Sequence, residues 1–474
     1  MLGILTVLAS VALLSQGQYV VPVPTITALS PGISFSIPDE SGISLVAYHY
    51  SINEPLLGTA PGQYNFDINA ATGNAWLHEN TGVVLINGDV VNYWVYVTKS
   101  GGGYQLLDQS WTYNDGSTPT VAPTSSPGSC TTYPCLIFED NFDSLNYENW
   151  QHEITAGGGG NWEFQYYTNN RSNSYTKDGN LYIKPTLTED KFGPNTLGSA
   201  TLNLWGASPA DLCTGNQWWG CERTGSSTNY INPIQSARLR TVNKFSFQYG
   251  RLEVRAKMPQ GDWIWPAIWL LPNNAEYGGW PSSGEIDLVE ARGNRFLVDS
   301  GGNSKGIDNA ASTMHWGPFC CENRYDLTHG DKTLTSGTFG DSFHTYTMEW
   351  DENSIQFWID GESIMTADPG PNGFFNFGGW DQRFGPETNP WQYSQNKMAP
   401  FDKPFYLIMN VAVGGTNGFF SDDLINSPYP KPWLNTSPTG PRDFWLAKDD
   451  WYPTWQGEDA AMQVDYVRVW KMKA

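Results

Sequence analysis

Apolar and polar positions alternate with period two along most of this chain. Between residues 18 and 115, runs such as Gly32-Ile-Ser-Phe-Ser-Ile37, Ile43-Ser-Leu-Val-Ala-Tyr48 and Val91-Asn-Tyr-Trp-Val-Tyr-Val97 are separated by Pro, Asp, Gly and Asn. That is the spacing of strands in a β-sandwich of about a hundred residues. The pattern resumes downstream in Arg251–Lys257, Tyr346–Trp350, Ile355–Ile359, Phe405–Val413 and Val464–Trp470. No long stripe of helical period interrupts it, so an all-β chain is predicted. A strand so near the C-terminus predicts that this end is tied into a sheet. Residues 116–129, Gly-Ser-Thr-Pro-Thr-Val-Ala-Pro-Thr-Ser-Ser-Pro-Gly-Ser, carry three prolines and no apolar period. They read as a linker spanning roughly 20 Å as a coil. The predicted division is a module at 18–115, the linker at 116–129 and a larger domain at 130–474.

The apolar run Met1–Leu14, followed by Ser15-Gln16-Gly17, is short for a bilayer span and reads as a secretory signal cut near Gly17. No later stretch is apolar enough to cross a membrane. Six cysteines, an even number, suit an oxidising compartment. Cys130 with Cys135, and Cys213 with Cys221, are close enough to close local loops; Cys320 and Cys321 are adjacent and expected to pair elsewhere. Neither His-rich nor Cys-x-x-Cys spacing supports a metal site. Sequons at Asn170 and Asn435 are candidate glycosylation acceptors.

A formal charge of -22 disfavours nucleic acid and anionic membranes as partners. Aromatics are 14% of residues, with 22 Trp. Neutral sugars stack their C–H faces on such rings, although part of this aromatic content belongs to a sandwich core.

The chemistry concentrates in Gly284-Glu-Ile-Asp-Leu-Val-Glu290. On a strand, Glu285 and Asp287 share one face while Ile286 and Leu288 occupy the other. Glu290 has the wrong parity, which predicts a bulge near Val289. Clustered carboxylates repel, raising the pKa of one and leaving another charged. That division suits a retaining glycosidase, whose two carboxyls stand about 5–5.5 Å apart. In Asp262-Trp-Ile-Trp-Pro-Ala-Ile-Trp269, Trp263, Trp265 and Trp269 fall on one parity and are candidates to project toward the acids, with a core role open for at least one. Pro266 predicts local irregularity. His315 is a candidate partner for a carboxylate or a sugar hydroxyl.

Trp265-Pro-Ala-Ile-Trp269, Trp280–Asn294, Thr313-Met-His-Trp-Gly317, Asn410–Gly415, Asn161–Tyr167 and Ser236–Thr241 together resemble glycoside hydrolase family 16, its laminarinase-like branch. The resemblance runs from about Cys130 to the end. It implies a β-jelly-roll (concanavalin-like) sandwich, with Glu285 as nucleophile, Glu290 as general acid/base and Asp287 as their electrostatic partner. Trp265, Trp269, Trp280 and His315 would line the cleft, and Glu163, Gln165 and Arg292 would contact substrate or support those that do. Some members bind calcium away from the cleft; no ligand set is identifiable here, and no cofactor is implied.

Residues 18–115 are similar to the glucan-binding module of invertebrate β-1,3-glucan recognition proteins, carbohydrate-binding module family 39, through Ser36–Glu40, Gly42–Leu45, Ile52–Glu54, Gly88-Asp89 and Tyr93–Val97. This implies an immunoglobulin-like sandwich, with Asp39 and Trp76 as glucan contacts. The family's basic run after that Trp is replaced here by Leu77-His-Glu79. Many relatives with this plan have lost the catalytic acids and act as immune sensors upstream of a protease cascade. Here all three acids are present. The sequence therefore predicts a secreted endo-β-1,3-glucanase acting on microbial wall glucan or laminarin, with a non-catalytic glucan receptor as the alternative.

Overall fold

The computed structural model describes residues 19–113 and 130–473, apart from 30–31, 53–55, 57, 60–61, 84, 86–88 and 207–211. The expected signal at 1–17 and linker at 116–129 lie outside the described residues. The chain divides into two compact units, Met1–Pro123 and Thr124–Ala474.

In the first unit a three-stranded sheet (Thr25–Leu29, Gly32–Pro38, Ala75–Asn80) and a four-stranded sheet (Tyr64–Ile68, Ile43–Ile52, Val90–Lys99, Gly102–Thr112) are wholly antiparallel. Period two explains the packing. Ile33, Phe35 and Ile37 from one sheet meet Val46, Tyr48, Tyr50, Val91, Val95 and Val97 from the other in a single core. Each such side chain contributes roughly 1.5–3 kcal/mol by leaving water.

The second unit is a sandwich of larger sheets. One contains, in order, His329–Thr333, Asn309–His315, Glu285–Ala291, Ile264–Pro272, Phe405–Val413, Arg238–Arg240 and Gln151–Glu153. The other is built around Gly250–Lys257, His344–Trp350 and Met462–Lys471. Their facing side chains, including Leu252, Val254, Met348 and Val467 from one sheet and Leu239, Ile268, Ile286 and Met409 from the other, form one contiguous core. The last strand pairs with Gly250–Lys257, Asn180–Ile183 and Cys135–Asp140, so the C-terminal segment is held in the sheet as expected. The longest described helix has seven residues, Gly440–Leu446.

Cysteine pairing needs one correction. Cys130–Cys135 and Cys213–Cys221 form the two local disulfides. These use every other cysteine of the chain, so Cys320 and Cys321 have no partner elsewhere in it; both are free and exposed, with sulfurs 3.2 Å apart.

Candidate active site

The strand Glu285–Ala291 lies between Ile264–Pro272 and Asn309–His315. Ile286 and Leu288 are buried in the core, which leaves Glu285 and Asp287 on the opposite face. The strand then slips. Asp287 pairs with Trp269 but Val289 with Ile268, so two steps on one strand match one on the other. On the other side, Asp287 and Glu290 are three residues apart where their partners Thr313 and Ala311 are two apart. This bulge restores Glu290 to the acid face. The Leu288 carbonyl accepts a hydrogen bond from Ser312 Oγ at 2.6 Å.

Two indoles organise the acids. Trp265 Nε1 donates to Glu290 Oε1 at 2.8 Å, and Trp280 Nε1 donates to Glu285 Oε2 at 2.7 Å. Trp269 Nε1 donates to Asn410 Oδ1 at 2.7 Å instead. Trp263 behaves differently. It precedes the strand with φ of 69°, which breaks its parity with Trp265, and its ring packs edge-on against Phe420 and Trp433 in the core. Pro266 stays in register with Val411, while pairing to the Glu285 strand starts only at Ala267; the residue lacking an N–H thus sits outside the second ladder.

Asp287 is buried, with Oδ2 3.3 Å from His315 Nε2. The Asn323 side-chain amide lies 2.8 Å from His315 Nδ1 and fixes the ring from behind. Burial, then the charges of Glu285 and Glu290, raise the Asp287 pKa well above the ordinary carboxylate range. Burial also raises that of Glu290, against the opposing pull of His315 and the Trp265 N–H. Burial alone would lower the His315 pKa, but its contact with Asp287 and the charges of all three acids push it to about 9. The cluster therefore holds its protons more tightly than free carboxyls and imidazole do. Among the described residues, Glu285, Asp287 and His315 also form a group able to hold a cation, with ligand atoms within 4.8 Å of one another.

A profile of the glycosyl hydrolases family 16 matches residues 230–373, and the profile CBM39, described as a carbohydrate binding domain (family 32), matches residues 20–130. The chain is 54% identical to a beta-1,3-glucan-binding protein of Penaeus monodon over 73% of this chain and 93% of that one. It belongs to the β-1,3-glucan-binding protein family. Gram-negative bacteria-binding protein 1 of Drosophila melanogaster is 32% identical over 95% of each chain. The catalytic domain of an endo-1,3-beta-glucanase (laminarinase) from Thermotoga petrophila RKU-1 is 24% identical over 72% of this chain and 98% of that one, with a TM-score of 0.43.

The remaining expected site residues of this β-1,3-glucan-binding family member divide by burial. Glu163 and Gln165 are both buried. Glu163 accepts hydrogen bonds from Asn161, Gln165 and Tyr167, and Gln165 accepts one from the Val413 backbone N–H. They brace the end of the Phe405–Val413 strand. Arg292 donates to the Phe419 carbonyl and lies 4.0 Å from that ring's centroid, while Trp265 stacks on the same ring at 3.9 Å. In the first unit, exposed Asp39 accepts the Trp76 indole N–H at 2.8 Å; Trp76 itself is 3% exposed and packed in the core. Asn170 is exposed. The Asn435 amide nitrogen donates to the Phe420 carbonyl, a contact that a glycan there would displace.

Sequence reasoning missed Arg238, Asn410 and Asn323. Arg238 is buried, pairs with Glu153 at 3.3 Å and lies 4.5 Å and 5.3 Å from the rings of Tyr167 and Trp269. Arg238 and Asn410 stood within motifs already noted, and directly opposite each other in register. Asn323 had no local signal.

Proposed function

We propose that this protein is a secreted endo-β-1,3-glucanase that hydrolyses its substrate with retention, its N-terminal unit binding the same polymer. The observation that carries the reading is the set Glu285, Asp287 and Glu290 on one sheet face, with separate indole donors to the two outer acids. Glu285 attacks the anomeric carbon as a carboxylate, and the Trp280 N–H holds its second oxygen. Glu290, whose buried environment favours the protonated acid, gives its proton to the leaving oxygen. Water then enters, Glu290 takes its proton, and the glycosyl-enzyme ester is cleaved. Asp287 lies between the two outer acids on the strand, with His315 against it, and the pair keeps charge in the cluster balanced as that proton moves.

The deciding experiment is reducing-end release from laminarin by the purified protein, with Glu285→Gln as control. Release by the parent and none by the variant supports the hydrolase. A second reading has its own support, because relatives covering nearly the whole chain are named as binding proteins. On that reading the protein is a non-catalytic glucan receptor in immune defence, feeding a protease cascade, and it binds laminarin without releasing reducing ends. A hydrolase of this kind serves digestion, defence or both.

A further inference from the structure

Five tryptophans among the described residues are exposed. Trp280 stands beside Glu285; the other four, Trp162, Trp205, Trp218 and Trp219, fall within residues 162–219, outside the acid cluster. Exposed indoles are costly to leave in water, and their grouping marks a contact surface. Trp162 and Trp219, 49% and 71% exposed, line a cavity of about 600 Å³ together with Tyr230, Arg223, Glu222 and Asn229. The volume lies within the usual range for small-ligand sites.

The loop that presents Trp219 is held in an unfavourable backbone conformation. Trp218 and Trp219 have consecutive positive φ values of 51° and 59°. Bulky residues avoid this region, so such a turn is strained unless its surroundings hold it. Three fixings hold it. The Cys213–Cys221 disulfide closes the loop at its base. Arg223 donates to the Trp218 carbonyl at 2.8 Å and to Asn232 Oδ1 at 3.3 Å. The Ala156 N–H donates to the Gly220 carbonyl at 2.7 Å. A core gains nothing from such a turn, since the Trp219 ring is left in solvent.

We propose that this cavity, whose lining includes none of Glu285, Asp287 and Glu290, is a second glucan-binding site on the larger unit, made by Trp162, Trp219 and Tyr230 with Arg223, Glu222 and Asn229 on its polar rim. This inference rests on the glucan reading above. Indoles supply flat faces for sugar C–H groups, and the rim supplies donors and acceptors for hydroxyls. A long polymer can occupy this site and the acid-lined face from different stretches of one chain, which raises its effective concentration at the acids.

The test is hydrogen–deuterium exchange of the full chain carrying Glu285→Gln, with and without laminarihexaose, followed at residues 216–231 and, for the acid face, at 276–284. Protection is expected in both segments. Adding Trp162→Ala and Trp219→Ala should raise the half-saturating concentration at 216–231 by about tenfold or more, and leave that at 276–284 unchanged. Trp219→Phe should recover part of the loss, and an unchanged unfolding temperature confirms that the variants remain folded. Protection at 276–284 alone, or protection at 216–231 that survives the double substitution, overturns the second site and leaves the glucan reading standing. No protection in either segment, or in the N-terminal unit, overturns both.

Discussion

Trp265 gives its indole N–H to Glu290 while its ring lies flat on Phe419. One side chain therefore both positions the proposed proton donor and biases its charge, because a hydrogen bond to a carboxylate favours the ionised form. Trp265→Phe keeps the stack and removes the donor. The Glu290 pKa should rise further, and since activity requires Glu290 protonated, the basic limb of the pH–rate profile should move to higher pH. A kcat/KM profile on laminarin from pH 4 to 10 checks this; an unmoved or lowered basic limb contradicts it.

The roles of Glu285 and Glu290 can be separated chemically. Glu285→Ala and Glu290→Ala should each lower kcat by about 10³-fold or more. Azide should rescue both with opposite stereochemistry. It replaces the missing nucleophile of Glu285→Ala and gives a product of inverted configuration; in Glu290→Ala it attacks the glycosyl-enzyme and gives retention. Identical product configurations from the two variants would remove the assignment.

His315 links the site to stability. Its folded pKa of about 9 exceeds the ordinary value of 6.5, so its favourable contribution is complete below about pH 6.5 and is lost as pH rises through 9. The unfolding temperature should fall between pH 6.5 and 9.5, and fall less in His315→Gln. Calorimetry across that range decides it, and equal slopes for the two proteins would refute the link.

The ligand atoms of Glu285, Asp287 and His315 suit a small cation such as Zn²⁺. Bound there, Zn²⁺ occupies the nucleophile, so added Zn²⁺ should inhibit hydrolysis and excess EDTA should restore it. EDTA without added metal should leave the rate unchanged. Loss of activity with EDTA alone would make the metal part of the machinery.

Trp263 belongs to the core, 1% exposed. Trp263→Ala should cost about 3–5 kcal/mol of stability, measured by denaturant titration of the full chain.

Period two made both sandwiches legible, and with them the face shared by Glu285 and Asp287. It also made the bulge legible, because Glu290 otherwise has no route to that face. The same rule gave Trp263 the parity of Trp265 and Trp269 and left open which of them is core; it is Trp263, where the backbone turns through positive φ before the strand begins. Alternation holds only inside a ladder. Arg238 and Asn410 were harder to see because strands far apart in sequence bring them together. The exposed indoles at Trp218 and Trp219 lay in a segment with no strand period, where sequence gives no burial signal. Adjacent Cys320 and Cys321 misled for a simpler reason: pairing elsewhere presumed a vacancy that the two short loops had already filled.

The extra residue in the Glu285–Ala291 strand bears on how an enzyme of this architecture could become a receptor. A strand of the same length that lost the bulge and paired regularly would turn Glu290 inward, although all three acids would remain in the sequence. On the hydrolase reading, competence depends on strand register as much as on residue identity, so an inventory of intact acids does not by itself distinguish a working hydrolase from a silent descendant.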